Sequence, residues 1–269
     1  MSTSTDTSTD STSSGIDLDE LATRADHAAA HGVAIPQFTA DHDLDVAGAY
    51  AVQAASIGRR LARGEQLVGV KMGLTSRAKM TQVGVDEVIW GRLTDAMHVA
   101  DGSTVSLGGY VHPRVEPEIA FLLASPLSGP VSAAQAMAAV AAVAPAAEII
   151  DSRFENFRFS LPDVIADNSS SSGFVVGGWS DPATPISNLG MVLERDGRAV
   201  EIGSSAAILG DPVRSLVEAS RMVAHANMQL EPGWIVLAGG ATAAVPLEAG
   251  SAYRVLVEHL GTVSFRVVP

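Results

Sequence analysis

Glu116 and Glu118 stand two positions apart, and the apolar stretch that follows them ends at Leu123. Such a stretch is typical of a β-strand, in which residues i and i+2 point to the same face, about 7 Å apart along the backbone. Two carboxylates at this spacing repel each other unless a cation lies between them. The spacing therefore indicates a divalent-metal site. A solvated strand face that carries two acids is the alternative interpretation.

A third acid strengthens the metal hypothesis. Glu148 lies among apolar residues in the segment Pro145–Asp151, where we expect burial, and an unpaired buried carboxylate is costly. Three oxygen donors without cysteine or histidine suit a hard cation, Mg²⁺ or Mn²⁺, with other positions left for water or substrate. Pro117 lacks an amide hydrogen, which predicts that this segment lies at a sheet edge or a bulge.

Lys71 is the candidate cationic group. It lies at the end of a predicted strand, between apolar residues and the glycines of the segment Gly69–Thr75. Near a metal, Lys71 could orient a substrate carboxylate or donate a proton. A lysine that extends its ammonium to solvent is the alternative. The polar runs Asp167–Gly173 and Gly239–Thr242 could bind a carboxylate through hydroxyls and amides, or could be ordinary turns.

The elements predicted to position these residues are helices in the first part of the chain and mainly strands after residue 66. Apolar residues at helical spacing predict helices over 16–31, 45–63 and 212–228, and an Ala-rich helix over 133–143. From residue 67 onward, short apolar runs separated by Gly and Pro predict strands, with a hairpin turn at Asp196-Gly197. We therefore predict an α+β protein: a small helical N-terminal part over 16–66, then a catalytic β-rich domain over 67–269.

Composition narrows the function classes. The 269-residue chain is 47% hydrophobic, which is ample for a large core, and its net charge of −13 argues against nucleic acid and anionic membranes as partners. The absence of cysteine excludes disulfides and thiolate chemistry and favours the cytoplasm. Residues 1–15, rich in Ser, Thr and Asp, are expected to be a disordered tail and not a signal peptide. No phosphate-loop motif occurs, so nucleotide-dependent chemistry is not expected.

Several segments together resemble the hydratase/decarboxylase family of aromatic meta-cleavage pathways. In chain order they are Gly69–Ser76, Ile89–Leu93, His112–Leu123, Ala147–Arg153 and Asp163–Asn168. The similarity extends from about Leu18 to the C-terminus. It implies the fold of the fumarylacetoacetate hydrolase C-terminal domain, a mixed β-roll or sandwich around a metal site.

The resemblance also implies roles for single residues. Glu116, Glu118 and Glu148 would be the ligands of Mg²⁺ or Mn²⁺, and Lys71 would be the catalytic lysine. The residues expected to bind substrate are Leu74, Ile89, Asp163, Ser169 and Thr242. Leu74 and Ile89 would form an apolar wall that desolvates a departing carboxylate.

The implied activity is metal-dependent decarboxylation of 4-oxalocrotonate (2-oxo-3-hexenedioate) to 2-hydroxypenta-2,4-dienoate and CO₂. Sister enzymes of the family hydrate that product and tend to carry aspartate before the aromatic-Gly pair, where this chain has Ile89. The apolar residue favours decarboxylation over hydration. A hydratase and a non-catalytic stabilising partner of that hydratase are the alternatives. The expected partners are a 2-oxo dicarboxylate, further copies of the chain in a homo-oligomer, and the pathway hydratase.

Overall fold

The computed structural model describes residues 16–76 and 87–269, so the tail predicted over 1–15 lies outside the described residues. The helices are α1 Leu18–His31, α2 Val46–Ala62, α3 Ala133–Ala138, α4 Leu161–Ala166 and α5 Pro212–His225. The strands are β1 Leu67–Gly73, β2 Ile89–Thr94, β3 His98–Val99, β4 Thr104–Ser106, β5 Arg114–Leu123, β6 Val140–Ile150, β7 Ser171–Val176, β8 Gly190–Arg195, β9 Arg198–Ser204, β10 Ile235–Leu237, β11 Val245–Pro246, β12 Ala252–Val257 and β13 Gly261–Val268. In the described part of the chain, no helix combines the length and the hydropathy needed to cross a bilayer.

The first two helices pack as a pair. The Asp17 side chain accepts hydrogen bonds from the first amides of α1, and Gly32 ends this helix in the left-handed conformation at φ 60°. Asp45 caps α2 in the same way. An ion pair between Arg63 and Asp26, 2.7 Å between nitrogen and oxygen, joins the two helices. These contacts explain why the helical N-terminal elements form where the sequence predicts them.

Two sheets form the body of the protein. The larger follows the strand order β2-β1-β10-β5-β6-β7-β3, and the smaller follows β4-β13-β12-β8-β9. Ile119 and Phe121 of β5 belong to one buried hydrophobic cluster with Val255 and Phe265 of the smaller sheet. Successive strand residues alternate between faces, so the neighbours of these core residues point to the outer face of the larger sheet. Ile57 of α2 covers part of that outer face.

The α+β prediction is confirmed, and most predicted elements lie within a few residues of the observed ones. The hairpin is also confirmed: Asp196 at φ 52° and Gly197 at φ 75° connect the antiparallel strands β8 and β9. The boundary between residues 66 and 67, by contrast, stays a prediction.

The Ala-rich helix predicted over 133–143 is wrong. The helix ends at Ala138, and Val140–Ile150 forms β6, which pairs antiparallel with β5 along nearly its whole length. The high helix propensity of alanine is a local preference, whereas burial between β5 and β7 stabilises the extended chain over eleven residues.

Pro117 does not mark a sheet edge, because β5 lies between β10 and β6. On one side of β5, β10 pairs with residues 120–122 and β11 pairs with residues 114–115. Pro117 lies between these two stretches, where its carbonyl accepts a hydrogen bond from the amide of Ala241. An interrupted ladder tolerates a proline inside a sheet.

Candidate active site

The three glutamates lie on two neighbouring strands of the larger sheet. Glu116 and Glu118 alternate along β5, and Glu148 on β6 stands directly opposite Glu116. Alternate residues of one strand share a face, and so do directly opposed residues, so all three side chains point away from the core between the sheets. All three are buried. The fold therefore brings Glu148 beside two carboxylates that precede it by 32 and 30 positions in the sequence.

Lys71 projects from β1 toward the same cluster. Its Nζ lies 3.1 Å from Oε2 of Glu148, and both side chains are almost completely buried. The adjacent strands align Lys71 with Gly91 of β2 and with Leu237 of β10. A buried ion pair of this kind persists because each charge compensates the other.

The cluster holds more negative charge than its surroundings readily stabilise. Burial raises the pKa of Glu118 well above its usual range, and the nearby charge of Glu148 raises it further. Burial also raises the pKa of Glu148, against the opposing effect of Lys71. The Lys71 ammonium thus offsets only part of the cost of ionising these groups. Additional positive charge would stabilise the cluster.

Two oxygens of the cluster support a bound cation. Oε1 of Glu118 and Oε1 of Glu148 are buried without a hydrogen-bond partner. An unsatisfied buried acceptor costs about 1–3 kcal/mol, and coordination to a cation would remove that cost. Carboxylate oxygens are the donors that Mg²⁺ prefers. Among the described residues, no three His, Cys, Asp or Glu side chains already have the spacing of a completed metal site. The fit therefore depends on these two oxygens and on the donor chemistry.

A glycine loop closes one side of the cluster. The amide of Gly239 donates a 2.7 Å hydrogen bond to Oε2 of Glu118. Gly239 has φ 107°, and a Cβ placed on it would lie 2.1 Å from Oγ1 of Thr75, so only glycine fits. Oγ1 of Thr75 is itself buried without a partner. Sequence reasoning missed Thr75, although its position four residues after Lys71 was an available signal.

One predicted pocket residue, Ile89, lies beside Lys71, and a second, Leu74, packs on the apolar cluster that contains Ile89. A Cβ placed on Gly73 would lie 2.9 Å from Cγ1 of Ile89 and 3.8 Å from Nζ of Lys71, so both side chains approach the same point. Leu74, which has φ 54°, packs in one apolar cluster with Ile89. This part of the site is therefore bounded by apolar side chains.

Ser169 lies in a left-handed turn above β2. Three consecutive residues have positive φ: Asn168 at 50°, Ser169 at 53° and Ser170 at 59°. Oγ of Ser169 donates to the carbonyl of Trp90 at 2.7 Å, which places it next to Gly91, the β2 residue paired with Lys71. A Cβ placed on Gly91 would lie 2.4 Å from the carbonyl oxygen of Asn168, so the turn needs glycine beneath it.

The structure holds Asp163 and Thr242 in other contacts. The Asp163 carboxylate caps α4 and accepts hydrogen bonds from the amide and hydroxyl of Thr39. The hydroxyl of Thr242 donates to the carbonyl of Ala243, and its methyl group faces Gly203 of β9. These contacts do not join either residue to the glutamate cluster, and their assignment to the pocket stays a prediction.

A separate cavity of about 210 Å³ lies between the helical pair and the segment that connects β6 to β7. Its lining includes Tyr110, Asp151, Arg153 and Asp167. Burial raises the pKa of Asp167 to about 6, although the neighbouring Arg153 opposes the shift. The polar groups of this cavity are largely paired with one another, since Arg153 binds Asp167 and the Asp151 carboxylate accepts two backbone amides.

The chain belongs to the fumarylacetoacetate (FAA) hydrolase C-terminal family, whose sequence profile matches residues 70–268. A 4-oxalocrotonate decarboxylase of Pseudomonas sp is 56% identical over 92% of this chain and 97% of its own length. The 4-oxalocrotonate decarboxylase from Pseudomonas putida G7, complexed with magnesium and adipate, superimposes with a TM-score of 0.91 at 38% identity, covering 93% of this chain and 97% of that one. A 2-keto-4-pentenoate hydratase of Paraburkholderia xenovorans (strain LB400) is 35% identical over 82% of this chain and 83% of its own length. The expected fold is confirmed.

Proposed function

We propose that the protein decarboxylates 4-oxalocrotonate to 2-hydroxypenta-2,4-dienoate and CO₂, with Mg²⁺ or Mn²⁺ as its cofactor. The observation that carries the proposal is the buried cluster of Glu116, Glu118, Glu148 and Lys71 in a chain 56% identical to a 4-oxalocrotonate decarboxylase. Adipate, which is bound in a similar structure, is a dicarboxylate like 4-oxalocrotonate. The identity to this decarboxylase exceeds the 35% identity to the hydratase.

Glu116, Glu118 and Glu148 would hold the cation. When bound, it supplies Lewis-acid stabilisation of negative charge on substrate oxygens, worth several kcal/mol as an order of magnitude. The buried oxygens of Glu118 and Glu148 that lack hydrogen-bond partners support this role. The amide of Gly239 holds the Glu118 carboxylate in place.

Lys71 would compensate the charge that develops during the reaction. Loss of CO₂ from the far end of the substrate leaves an electron pair that delocalises through the double bond to the 2-oxo oxygen, giving a dienolate. A proton on that oxygen completes the product. The buried Lys71 ammonium can stabilise this oxygen by a charge-assisted hydrogen bond and is the candidate proton donor.

Leu74 and Ile89 would keep water away from the carboxylate that leaves. Ile89 is only 4% exposed and packs with Leu74 near Lys71. A carboxylate loses its charge on departure as CO₂, so an apolar surrounding favours that step. Ser169, on the left-handed turn, and more remotely Asp163 and Thr242 complete the proposed pocket.

We also propose that the protein acts in the cytoplasm as a homo-oligomer that associates with the pathway hydratase. The cysteine-free composition supports the cytoplasmic assignment. The helical part over 16–66 and the catalytic domain over 67–269 are proposed as two units, supported by a family match that begins at residue 70. Light scattering after size-exclusion chromatography, with and without the hydratase, tests the assembly.

The activity is tested with purified protein, 4-oxalocrotonate, and either Mg²⁺, Mn²⁺ or EDTA. We expect release of CO₂ and the ultraviolet absorbance of the dienol product with either cation, and no turnover with EDTA or in a Glu116→Gln variant. Hydration of 2-hydroxypenta-2,4-dienoate as the sole activity would assign the chain to the hydratases. Cation binding without turnover of either compound would favour a non-catalytic stabilising partner.

A further inference from the structure

A row of charged residues extends beyond the glutamates on the same side of β5. Arg114 precedes Glu116 by two positions and Glu118 by four, so the three side chains share one face of the strand. His112 lies two residues earlier still, just outside the strand. One end of the row is basic and the other is acidic. A molecule lying along this face would meet both ends.

The guanidinium of Arg114 is held in place by an aromatic ring. Its Cζ lies 4.0 Å from the centroid of the Phe157 ring, and the side chain is partly buried. Among the ion pairs of residues 16–76 and 87–269, none involves Arg114. Stacking on a ring leaves the N–H groups at the edge of the guanidinium available to a planar anion.

The segment that places Phe157 beneath Arg114 has an uncommon backbone conformation. Asn156 at φ 59° and Phe157 at φ 56° are consecutive non-glycine residues in the left-handed region, a conformation that side chains other than glycine adopt at a cost. A hydrogen bond from the amide of Glu155 to the carbonyl of Ile35 braces this segment against the N-terminal part. Such a conformation persists only where the surrounding structure holds it, and it concentrates at functional sites.

His112 supplies a second polar group at the same ring. Its ring centroid lies 6.3 Å from that of Phe157, edge to face, and its Nε2 is buried without a hydrogen-bond partner. The amide of His112 donates to the Asp151 carboxylate at 2.5 Å, which fixes the backbone before Arg114. Two donor side chains thus lie beside one aromatic ring.

An apolar wall connects this basic end with Lys71. Phe157 contacts Phe159 at 5.6 Å between ring centroids, and Phe159 packs on the cluster that contains Leu74 and Ile89. Ile89 in turn approaches the same point as Lys71. The site therefore has a cation at each end of an apolar surface, which complements a short chain with a carboxylate at each end.

We propose that Arg114, assisted by His112, binds the carboxylate at the far end of the substrate and thereby selects dicarboxylates over monocarboxylates. This inference rests on the proposed function. The interaction exists with the substrate and is lost when the carboxylate leaves as CO₂. Arg114 therefore stabilises the bound substrate at least as much as the transition state, so its loss raises KM and leaves kcat unchanged or higher.

Calorimetry tests the binding without turnover, using the Mg²⁺-loaded protein with adipate and with hexanoate, which lacks the second carboxylate. We expect the wild type to bind adipate at least tenfold more tightly than hexanoate. Arg114→Gln should reduce this preference to below threefold, and Arg114→Lys should retain part of it. Arg158→Gln, a change at an exposed arginine in the same segment, is the matched control and should leave the preference intact.

Kinetics with 4-oxalocrotonate give the second measurement: KM of Arg114→Gln should rise at least tenfold, with kcat no lower than one third of the wild-type value. The inference is overturned if the wild type does not discriminate adipate from hexanoate, or if Arg114→Gln binds adipate as tightly as wild type. A fall in kcat at unchanged KM would also overturn it. Absence of turnover by the wild type would instead refute the proposed function, and the calorimetry would still decide the role of Arg114.

Discussion

Negative charge on Glu118 and on Glu148 is costly to the folded protein, because both carboxylates are buried. The charge of Glu118 is disfavoured first by burial and then by Glu148, with Lys71 opposing both effects in part. Buried acids with strongly shifted pKa values are concentrated at catalytic and ligand-binding sites. Removing one charge should therefore stabilise the protein and disable it at the same time.

Glu118→Gln tests this trade-off. In the presence of EDTA, we expect the variant to be more stable than wild type by about 1–3 kcal/mol, because the amide keeps the shape and relieves charge repulsion in a buried site. Urea unfolding measures the difference. Glu155→Gln, at an exposed position, should change stability by less than about 0.5 kcal/mol. A Glu118→Gln variant that is less stable than wild type would contradict the charge-repulsion argument.

Lys71→Met separates the structural role of the ammonium from its chemical role. The variant leaves Glu148 without its ion pair, so the metal-free protein should lose about 3–5 kcal/mol of stability. With Mg²⁺ present, turnover should still fall about 100-fold or more, because no general acid remains at that position. Stopped assays on folded, Mg²⁺-saturated protein make the measurement. Activity within a few-fold of wild type would exclude Lys71 from the chemistry.

Asp167 should make stability depend on pH. Its pKa is about 6 in the folded protein, mainly because of burial, against 3.8 ordinarily. Between those values the folded state binds more protons than the unfolded chain, so the contribution of Asp167 to the free energy of unfolding falls as pH rises, by about 3 kcal/mol over the whole window.

Urea unfolding of wild type and Asp167→Asn between pH 5 and 7.5 isolates this group. Subtracting the variant's stability from that of wild type should give a difference that declines by about 1–2 kcal/mol across this range and is flat above pH 7. A difference that rises with pH would show that the ion pair with Arg153 outweighs burial.

At the scale of elements, the candidate site residues could be predicted from the sequence, whereas the pairing of the strands that carry them could not. The i, i+2 spacing of Glu116 and Glu118 placed them on one face, because alternation is a local property of a strand. The register that sets Glu148 opposite Glu116 is a long-range property and leaves no local mark. The same pairing turned the Ala-rich segment into β6, against its helix propensity.

Contacts between distant segments were equally invisible in the sequence. Thr75 gains its significance from Gly239, and Arg114 gains its significance from Phe157. Neither pair is close along the chain. In contrast, Lys71 could be singled out because glycines and apolar residues are unusual neighbours for a charged side chain, and Ile89 because hydratases of the family that the sequence resembles tend to carry aspartate at that place.

The left-handed turn above β2 gives the prediction at this scale. Gly91→Ala would place a Cβ 2.4 Å from the carbonyl oxygen of Asn168 and force the turn away from β2. We expect a loss of about 1–3 kcal/mol in stability and a marked loss of turnover. Gly58→Ala is the control, since its Cβ meets no neighbouring atom in α2, and it should be neutral or slightly stabilising. Thermal unfolding and the decarboxylation assay compare the two variants.

For the whole molecule, cation binding and folding stability are linked. A ligand that binds only the folded state stabilises it by about 2.7 kcal/mol at a concentration 100-fold above its Kd. We therefore expect Mg²⁺ to raise Tm in a concentration-dependent manner and EDTA to reverse the rise. The Glu118→Gln variant should lose most of this response in calorimetric scans. An equal rise in wild type and variant would place the bound cation elsewhere on the surface.

The charged residues Arg114, Glu116 and Glu118 also help to specify how β5 pairs with its neighbouring strands. A register shift of β5 by one residue would turn these charged side chains into the hydrophobic core between the two sheets. The same shift would move Ile119 and Phe121 out of that core. A mispaired chain would therefore be strongly penalised at several positions at once. The charged residues proposed to form the site therefore also help to specify the register of β5, because a shift by one residue would bury their charges in the core.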